Sequence, residues 1–232
     1  MSGPESALHD GIAACLSAEP TLDELTAAIA TVRAEPAAQW ALLRALRDDD
    51  PRLTEVAKAS CWHPNGFAKI VLHEAVLPRF RMRLHVWPAA DLGVAPRGET
   101  NAHSHRWDFA STVICGAGLE VQHFVQHPDG LEHDRFRWGP ELDGLQPAGT
   151  ATLRSSPVVV RPAGDVYRCD TSVVHTAEPL GRGLVATLVL QGADRASVTE
   201  VYRRPDQAPD RPPRDLAKSE LCALLDTTLA EL

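Results

Sequence analysis

The order of apolar and polar positions divides the chain into three parts. Through residue 64 apolar residues recur at helical spacing, with Leu22, Leu25, Ala28, Ile29 and Val32 on one face of a 3.6-residue repeat. Thr21-Leu22-Asp23-Glu24 just before them is a capping box, in which the Thr21 hydroxyl and the Glu24 carboxylate each satisfy a backbone N–H at the helix start. Pro36 opens a second helix carrying Trp40, Leu43 and Leu46, and Asp48-Asp49-Asp50-Pro51 is expected to end it. Through residue 60 five Lys/Arg stand against ten Asp/Glu, so this segment is acidic. A helical cap packed on the main domain accounts for it; a partner-binding module is the alternative.

From residue 67 the period changes to two, in short runs broken by Gly, Pro and Asp. Candidate strands cover 67–73, 80–87, 110–114, 119–126, 151–153, 158–160, 166–167 and 184–190. Many short strands joined by turns make a sandwich or barrel, here over residues 65–202. Residues 88–102 and 128–150 read as long polar connections, of the kind that serve as rims or lids. Residues 203–232 form the third part: four prolines between Arg203 and Arg214 mark an extended strap, and a closing helix follows over 216–232. The expected fold is mainly β, with a helical segment before the barrel and a helix after it.

Composition narrows the partners. A formal net charge of −8 disfavours nucleic acid and anionic membrane surfaces. No run approaches the ~18 apolar residues of a membrane span, and Met-Ser-Gly-Pro-Glu-Ser lacks the basic-then-apolar pattern of a secretory signal. Five scattered cysteines without Cys-x-x-Cys read as free thiols in a reducing compartment, so a cytoplasmic protein is expected.

The chemistry concentrates in Asn101-Ala102-His103-Ser104-His105. On a strand, alternate side chains share a face, so His103 and His105 would stand side by side. A third imidazole, His175, follows Arg161-Pro162-Ala163-Gly164-Asp165-Val166-Tyr167 downstream. Three imidazoles with open positions opposite suit iron, and less exclusively zinc, copper or nickel. Asp108 lies on the opposite parity from His105 and is expected in a salt bridge to Arg106 or behind the ligands. His63, His73, His123, His127 and His133 lack a comparable context and are expected on the surface.

These residues resemble the cupins, double-stranded β-helix (jelly-roll) barrels that hold a metal in their mouth. His103-x-His105 followed by Gly116 is similar to their first motif, with no glutamate at its usual place. Pro162-Ala163-Gly164 with His175 approximates the second. The closest resemblance is to the cysteine dioxygenase-like (thiol dioxygenase) branch, which binds iron through three histidines. Phe67-Ala68-Lys69 falls where that branch has Tyr-x-Arg, whose arginine grips the substrate carboxylate. Phe80-x6-Trp87 matches a family strand, and Tyr167-x-x-Asp170-x4-His175 is similar to the segment delivering the third ligand. The family's Ser-x-His-x-Tyr falls on Thr187-Leu188-Val189-Leu190-Gln191, so its histidine and tyrosine are missing, and its cross-linking cysteine position holds Ala110.

The resemblance implies metal ligands His103, His105 and His175 and an Fe(II) cofactor, with zinc, nickel or copper as other candidates. Lys69 becomes a candidate substrate clamp. Alternation along 80–87 leaves two registers open. Arg81, Arg83, His85 and Trp87 line the barrel interior, making Arg83 a bidentate clamp for a carboxylate; or Phe80, Met82, Leu84 and Val86 point inward. Tyr167 and Gln191 are polar groups placed to face the metal. The expected function is a mononuclear non-haem iron oxygenase acting with dioxygen on a small polar, carboxylate- or amine-bearing molecule. The alternatives are a non-redox metal-dependent isomerase, lyase or hydrolase, or a non-catalytic ligand-binding barrel. A monomer and a homodimer are both compatible with the chain.

Overall fold

The computed structural model describes residues 4–90, 101–207 and 212–232. Four helices come first: α1 (Pro4–Ala14), α2 (Leu22–Ala34), α3 (Pro36–Asp48) and α4 (Asp50–Lys58). The capping box at α2 forms as expected. Thr21 Oγ1 accepts the Glu24 N–H at 3.3 Å, and Glu24 Oε2 accepts the Thr21 N–H at 2.7 Å. The run Asp48-Asp49-Asp50-Pro51 does more than end a helix. Asp49 Oδ1 accepts the Arg52 N–H at 3.1 Å, so Asp49 caps a new helix with Pro51 in its first turn, where a missing N–H costs nothing.

Strands follow in chain order: β1 (Cys61–Trp62), β2 (Ala68–Ala75), β3 (Phe80–Trp87), β4 (Ala102–His103), β5 (Trp107–Cys115), β6 (Leu119–Trp138), β7 (Gln146–Ser155), β8 (Val159–Arg161), β9 (Val166–Cys169), β10 (Val174–Pro179), β11 (Val185–Asp194), β12 (Thr199–Arg203) and β13 (Arg214–Asp215). Helix α5 (Lys218–Glu231) closes the chain. The larger antiparallel sheet has the order β13-β1-β2-β3-β11-β5-β9 and the smaller β10-β4-β12-β6-β7, with β8 beside β6. The fold is therefore mainly β, with helices before and after the two sheets. No described helix is long and apolar enough to cross a membrane.

Both registers considered for β3 hold at once, except that Arg81 lies at the exposed end of the strand and pairs with Glu74 at 2.6 Å. Phe80, Met82, Leu84 and Val86 pack in one apolar cluster with Ile12 of α1 and Leu25, Ile29 and Val32 of α2. Trp87 joins a second cluster with Phe109, Tyr167 and Val189, between the two sheets. The clean apolar alternation of β3 thus marks the face under the helices, and the opposite face lines the interior. A strand buried on both sides must put its polar residues somewhere, and here they point inward.

Residues 128–150 are not the expected loop. Most of them belong to the hairpin of β6 and β7, and only 139–145 connect the strands. Gln126 and Leu131 both lie opposite Leu153, so His127-Pro128-Asp129-Gly130 is extruded from the ladder between them. Beyond Phe124 this hairpin is largely solvated, so its strands carry few apolar residues to announce them. Strands β1, β4, β10, β12 and β13 also escape the period-two pattern, being short or only half buried. The expected connection over 88–102 falls mostly outside the described residues, as does the middle of the proline-rich strap.

Two expectations about ion pairs and histidines change. Arg106 pairs with Asp194 at 3.1 Å, and Asp108 with Arg195 at 2.9 Å, not with each other. Asp194 at the end of β11 and Arg195 just after it supply the two partners instead. His133 is 5% exposed and His63 is half-buried, stacked on Phe67 at 4.5 Å, so neither is a surface histidine.

Leu188 is fully buried on β11 beneath the helices. Leu188→Ala should lower unfolding free energy by roughly 2–5 kcal/mol, read from urea denaturation. Glu200 gives a pH-dependent check. Partial burial alone raises its carboxyl pKa, but hydrogen bonds from Arg135 and Arg137 outweigh this and lower it overall. A lowered folded pKa stabilises above the ordinary value of 4.5 and loses that contribution as pH falls through the folded value. Glu200→Gln should therefore lower stability at neutral and alkaline pH and flatten its fall on the acid side.

Candidate metal centre

His103 ends β4, and His175 lies on β10 directly opposite it in the ladder. His105 follows β4 and belongs to no strand. The alternation argument for His-x-His therefore fails in detail, because the strand stops after the first histidine. What turns His105 toward the others is Ser104. Its N–H donates to the Glu200 carbonyl at 2.9 Å, and its Oγ accepts the Glu200 N–H at 3.0 Å. Ser104 is 5% exposed, so this double bond to β12 is sheltered from water.

The three rings converge. Centroids lie 4.8 Å apart for His103–His105 and 5.1 Å for each other pair. One ligand nitrogen from each lies within 4.8 Å of the others. Nε2 of His105 and Nε2 of His175 are 2.9 Å apart. Two metal–nitrogen bonds of ~2.1 Å at right angles span roughly 3 Å, so this spacing suits a shared ion. Burial, followed by the neighbouring imidazoles, holds the pKa of His105 well below the ordinary histidine value, and burial does the same for His175. Neutral imidazole is the form that binds metal.

Outer contacts orient the rings. His103 Nδ1 lies 3.2 Å from the Asn101 carbonyl, which can only accept, so that nitrogen carries the proton. His175 Nδ1 lies 3.9 Å from Cys169 Sγ on β9. The Phe109 ring closes one side, 4.8 Å from His105 and 5.9 Å from His175. Donor type, spacing, protonation state and outer contacts together fit a divalent first-row metal.

The inner face of the larger sheet forms the opposing wall. Arg83 is 7% exposed, and its guanidinium stacks 5.1 Å from the Trp107 ring, which also meets the Arg106 guanidinium at 5.3 Å and His105 at 5.7 Å. Burial, and then Arg81, push the Arg83 pKa down to about 10. His85, opposite Thr187 on β11 and Lys69 on β2, packs against Phe67 at 4.6 Å. Burial, then Arg83, hold its pKa well below the ordinary value. Gln191 is 2% exposed on β11, and Tyr167 packs edge-on to Phe109 at 5.8 Å.

Several buried atoms on this wall have no hydrogen-bond partner: Arg83 Nε, His85 Nε2, Trp87 Nε1, Ser111 Oγ, Thr187 Oγ1 and Gln191 Oε1. Buried polar groups are rarely left so, since each costs about 1–3 kcal/mol. Six on one face call for a ligand or ordered water to supply the partners. Ser104, Trp107, Phe109 and Cys169 are participants the sequence pattern did not single out. Only Ser104 was findable, as the residue between two ligands.

No family model matches the chain, and no curated protein matches it. Solved structures share part of its architecture. An oxalate oxidase in complex with the substrate analogue glycolate aligns with a TM-score of 0.33 and 16% identity, over 59% of this chain and 55% of that one. An 11S globulin from Wrightia tinctoria aligns with a TM-score of 0.35 and 13% identity, over 57% and 30% respectively. Streptomyces PAC13 with uridine aligns with a TM-score of 0.36 and 11% identity, over 71% and 92%. The chain thus spans about half of the oxidase and a third of the globulin. Likeness at this level assigns neither a family nor an activity.

Ser104→Ala keeps all three imidazoles but releases one of the two bonds to Glu200. Cobalt(II) affinity, measured by absorption titration, should fall roughly 10-fold, the lower end of what outer partners of ligands contribute.

Proposed function

We propose that the chain is a cupin-type, mononuclear metal-dependent oxygenase that uses Fe(II) and dioxygen on a small polar molecule. One observation carries this reading: three imidazoles, with no carboxylate among the described residues joining them, converge opposite a wall of buried polar atoms that lack partners. When bound, iron(II) supplies the electrons that let dioxygen react with spin-paired organic molecules. Imidazole ligands, unlike a carboxylate, leave the ion's charge uncancelled, which draws an anionic or chelating substrate toward His103, His105 and His175.

In this reading the remaining groups bind and orient. Arg83 donates to a substrate carboxylate, with its plane fixed by Trp107. Lys69 adds positive charge beside His85. Gln191 Oε1 accepts from a substrate hydroxyl or amide, and Tyr167 borders the site through Phe109. Phe67, Trp87 and Phe109 exclude water, which strengthens every one of these contacts.

A non-redox metal-dependent isomerase, lyase or hydrolase is the second reading. It is favoured by Thr187, Val189 and Gln191 standing where thiol dioxygenases carry their Ser-x-His-x-Tyr. These side chains offer no imidazole or phenol to handle a proton near the metal.

Protein purified without added metal should carry about one divalent ion per chain. After iron(II) reconstitution, oxygen uptake should depend on a small carboxylate substrate, and His175→Ala should abolish metal content and uptake together. Full turnover after thorough chelation would overturn both readings. Turnover that persists under strict exclusion of oxygen would select the second.

A further inference from the structure

Arg83 is unusual among the arginines described. Arg47, Arg81, Arg106, Arg135, Arg161, Arg195 and Arg214 each reach a carboxylate within 3.2 Å. Arg83 is nearly fully buried, has no hydrogen bond among the described residues, and rests only on the Trp107 face. The two acids whose charge reaches it are already engaged: Glu74 by Arg81 at 2.6 Å and Asp194 by Arg106 at 3.1 Å. A buried cation left in this state costs several kcal/mol.

A second cation stands beside it. Lys69 pairs with His85 across β2 and β3, and Val71 pairs with Arg83, so Lys69 is the diagonal neighbour of Arg83 on the same face. Diagonal neighbours lie roughly 7–8 Å apart, within reach of one small ligand. The groups whose charge acts on Lys69 are the Cys61 thiol and the Arg83 and Arg81 cations, with no carboxylate among them. None of the described residues that form this wall or the histidine cluster is acidic.

We propose that the site selects a small dianion, one anionic group on the metal and the second between Arg83 and Lys69, and that it rejects ammonium-bearing molecules. The inference rests on the metal reading and narrows its substrate class. With three neutral ligands, a monocarboxylate on the metal leaves Arg83 and Lys69 uncompensated. An ammonium group adjoining them adds like charge in a water-poor space. A second carboxylate or phosphate supplies acceptors for the guanidinium and neutralises both cations. The wall therefore excludes the amine-bearing alternative considered from the sequence.

The test uses the cobalt(II)-loaded full chain, titrated with succinate, propionate and β-alanine while following cobalt absorption. Succinate should bind at least ~10-fold more tightly than propionate, as expected for one added charge-assisted contact, and β-alanine more weakly than propionate. Arg83→Gln should erase the preference for succinate while leaving cobalt affinity within about 2-fold. It should also raise the melting temperature of the ligand-free protein, because it removes an unpaired buried charge; a purely structural arginine would lower it. Lys69→Met provides a second variant with the same expected loss of preference.

Equal binding of β-alanine and succinate, or a preference that survives both substitutions, would overturn the proposal. Melting of the metal-free protein separates it from the metal reading. Without metal either acid can place one carboxylate between Arg83 and Lys69, so both should stabilise wild-type protein and neither should stabilise Arg83→Gln, whether or not cobalt binds. Failure of cobalt to bind would instead count against the metal centre.

Discussion

The burial of the larger sheet on both of its faces is the constraint on which the rest of this structure depends. Helices α1 and α2 cover one face with Ile12, Leu25, Ile29 and Val32, against Met82, Leu84, Val86 and Leu188 of β3 and β11. Each such side chain contributes roughly 1.5–3 kcal/mol when fully buried. A few of them offset the several kcal/mol that one unpaired buried cation costs. The inner face is therefore relieved of making the core and can carry Arg83, His85, Thr187 and Gln191. The helical cap is part of the site's energetics although it touches no ligand atom.

The histidine centre depends on a different kind of bond. His103 and His175 meet because β4 and β10 are antiparallel neighbours in register. His105 meets them because Ser104 is tied to Glu200, whose carboxylate is held by Arg135 and Arg137 from β6 at 2.7 and 3.0 Å. Three strands and a loop thus converge on one pair of backbone bonds. The three histidines are braced by backbone-directed contacts, and among the described residues no carboxylate joins their cluster.

Much of this was legible beforehand, for identifiable reasons. Strand β3 and the capping box at Thr21 were readable because a fully buried face and a satisfied helix start both demand particular residue types at fixed spacing. The convergence of the three histidines was readable because three imidazoles in two motif-like settings are rare. The β6–β7 hairpin was not readable. Backbone hydrogen bonds hold it, and they place no demand on side-chain polarity. Strands β4 and β12 are too short to show a period, so the loop position of His105 was hidden with them. His63 and His133 were misplaced because a histidine carries no mark of its own burial; stacking on Phe67 and packing beneath the hairpin decide it.

By itself the sequence determined which elements are strongly periodic, which residues can ligate a metal, and that the chain is mainly β with helices at both ends. Local spacing encodes those properties. Tertiary structure alone decided that both faces of β3 are buried, since the partner of a face is set by elements far away in the chain. It also decided that Arg83 has no carboxylate among the described residues while its neighbours do. Pairing of charges depends on which distant acids reach which strand, and Glu74 and Asp194 are claimed by Arg81 and Arg106 first.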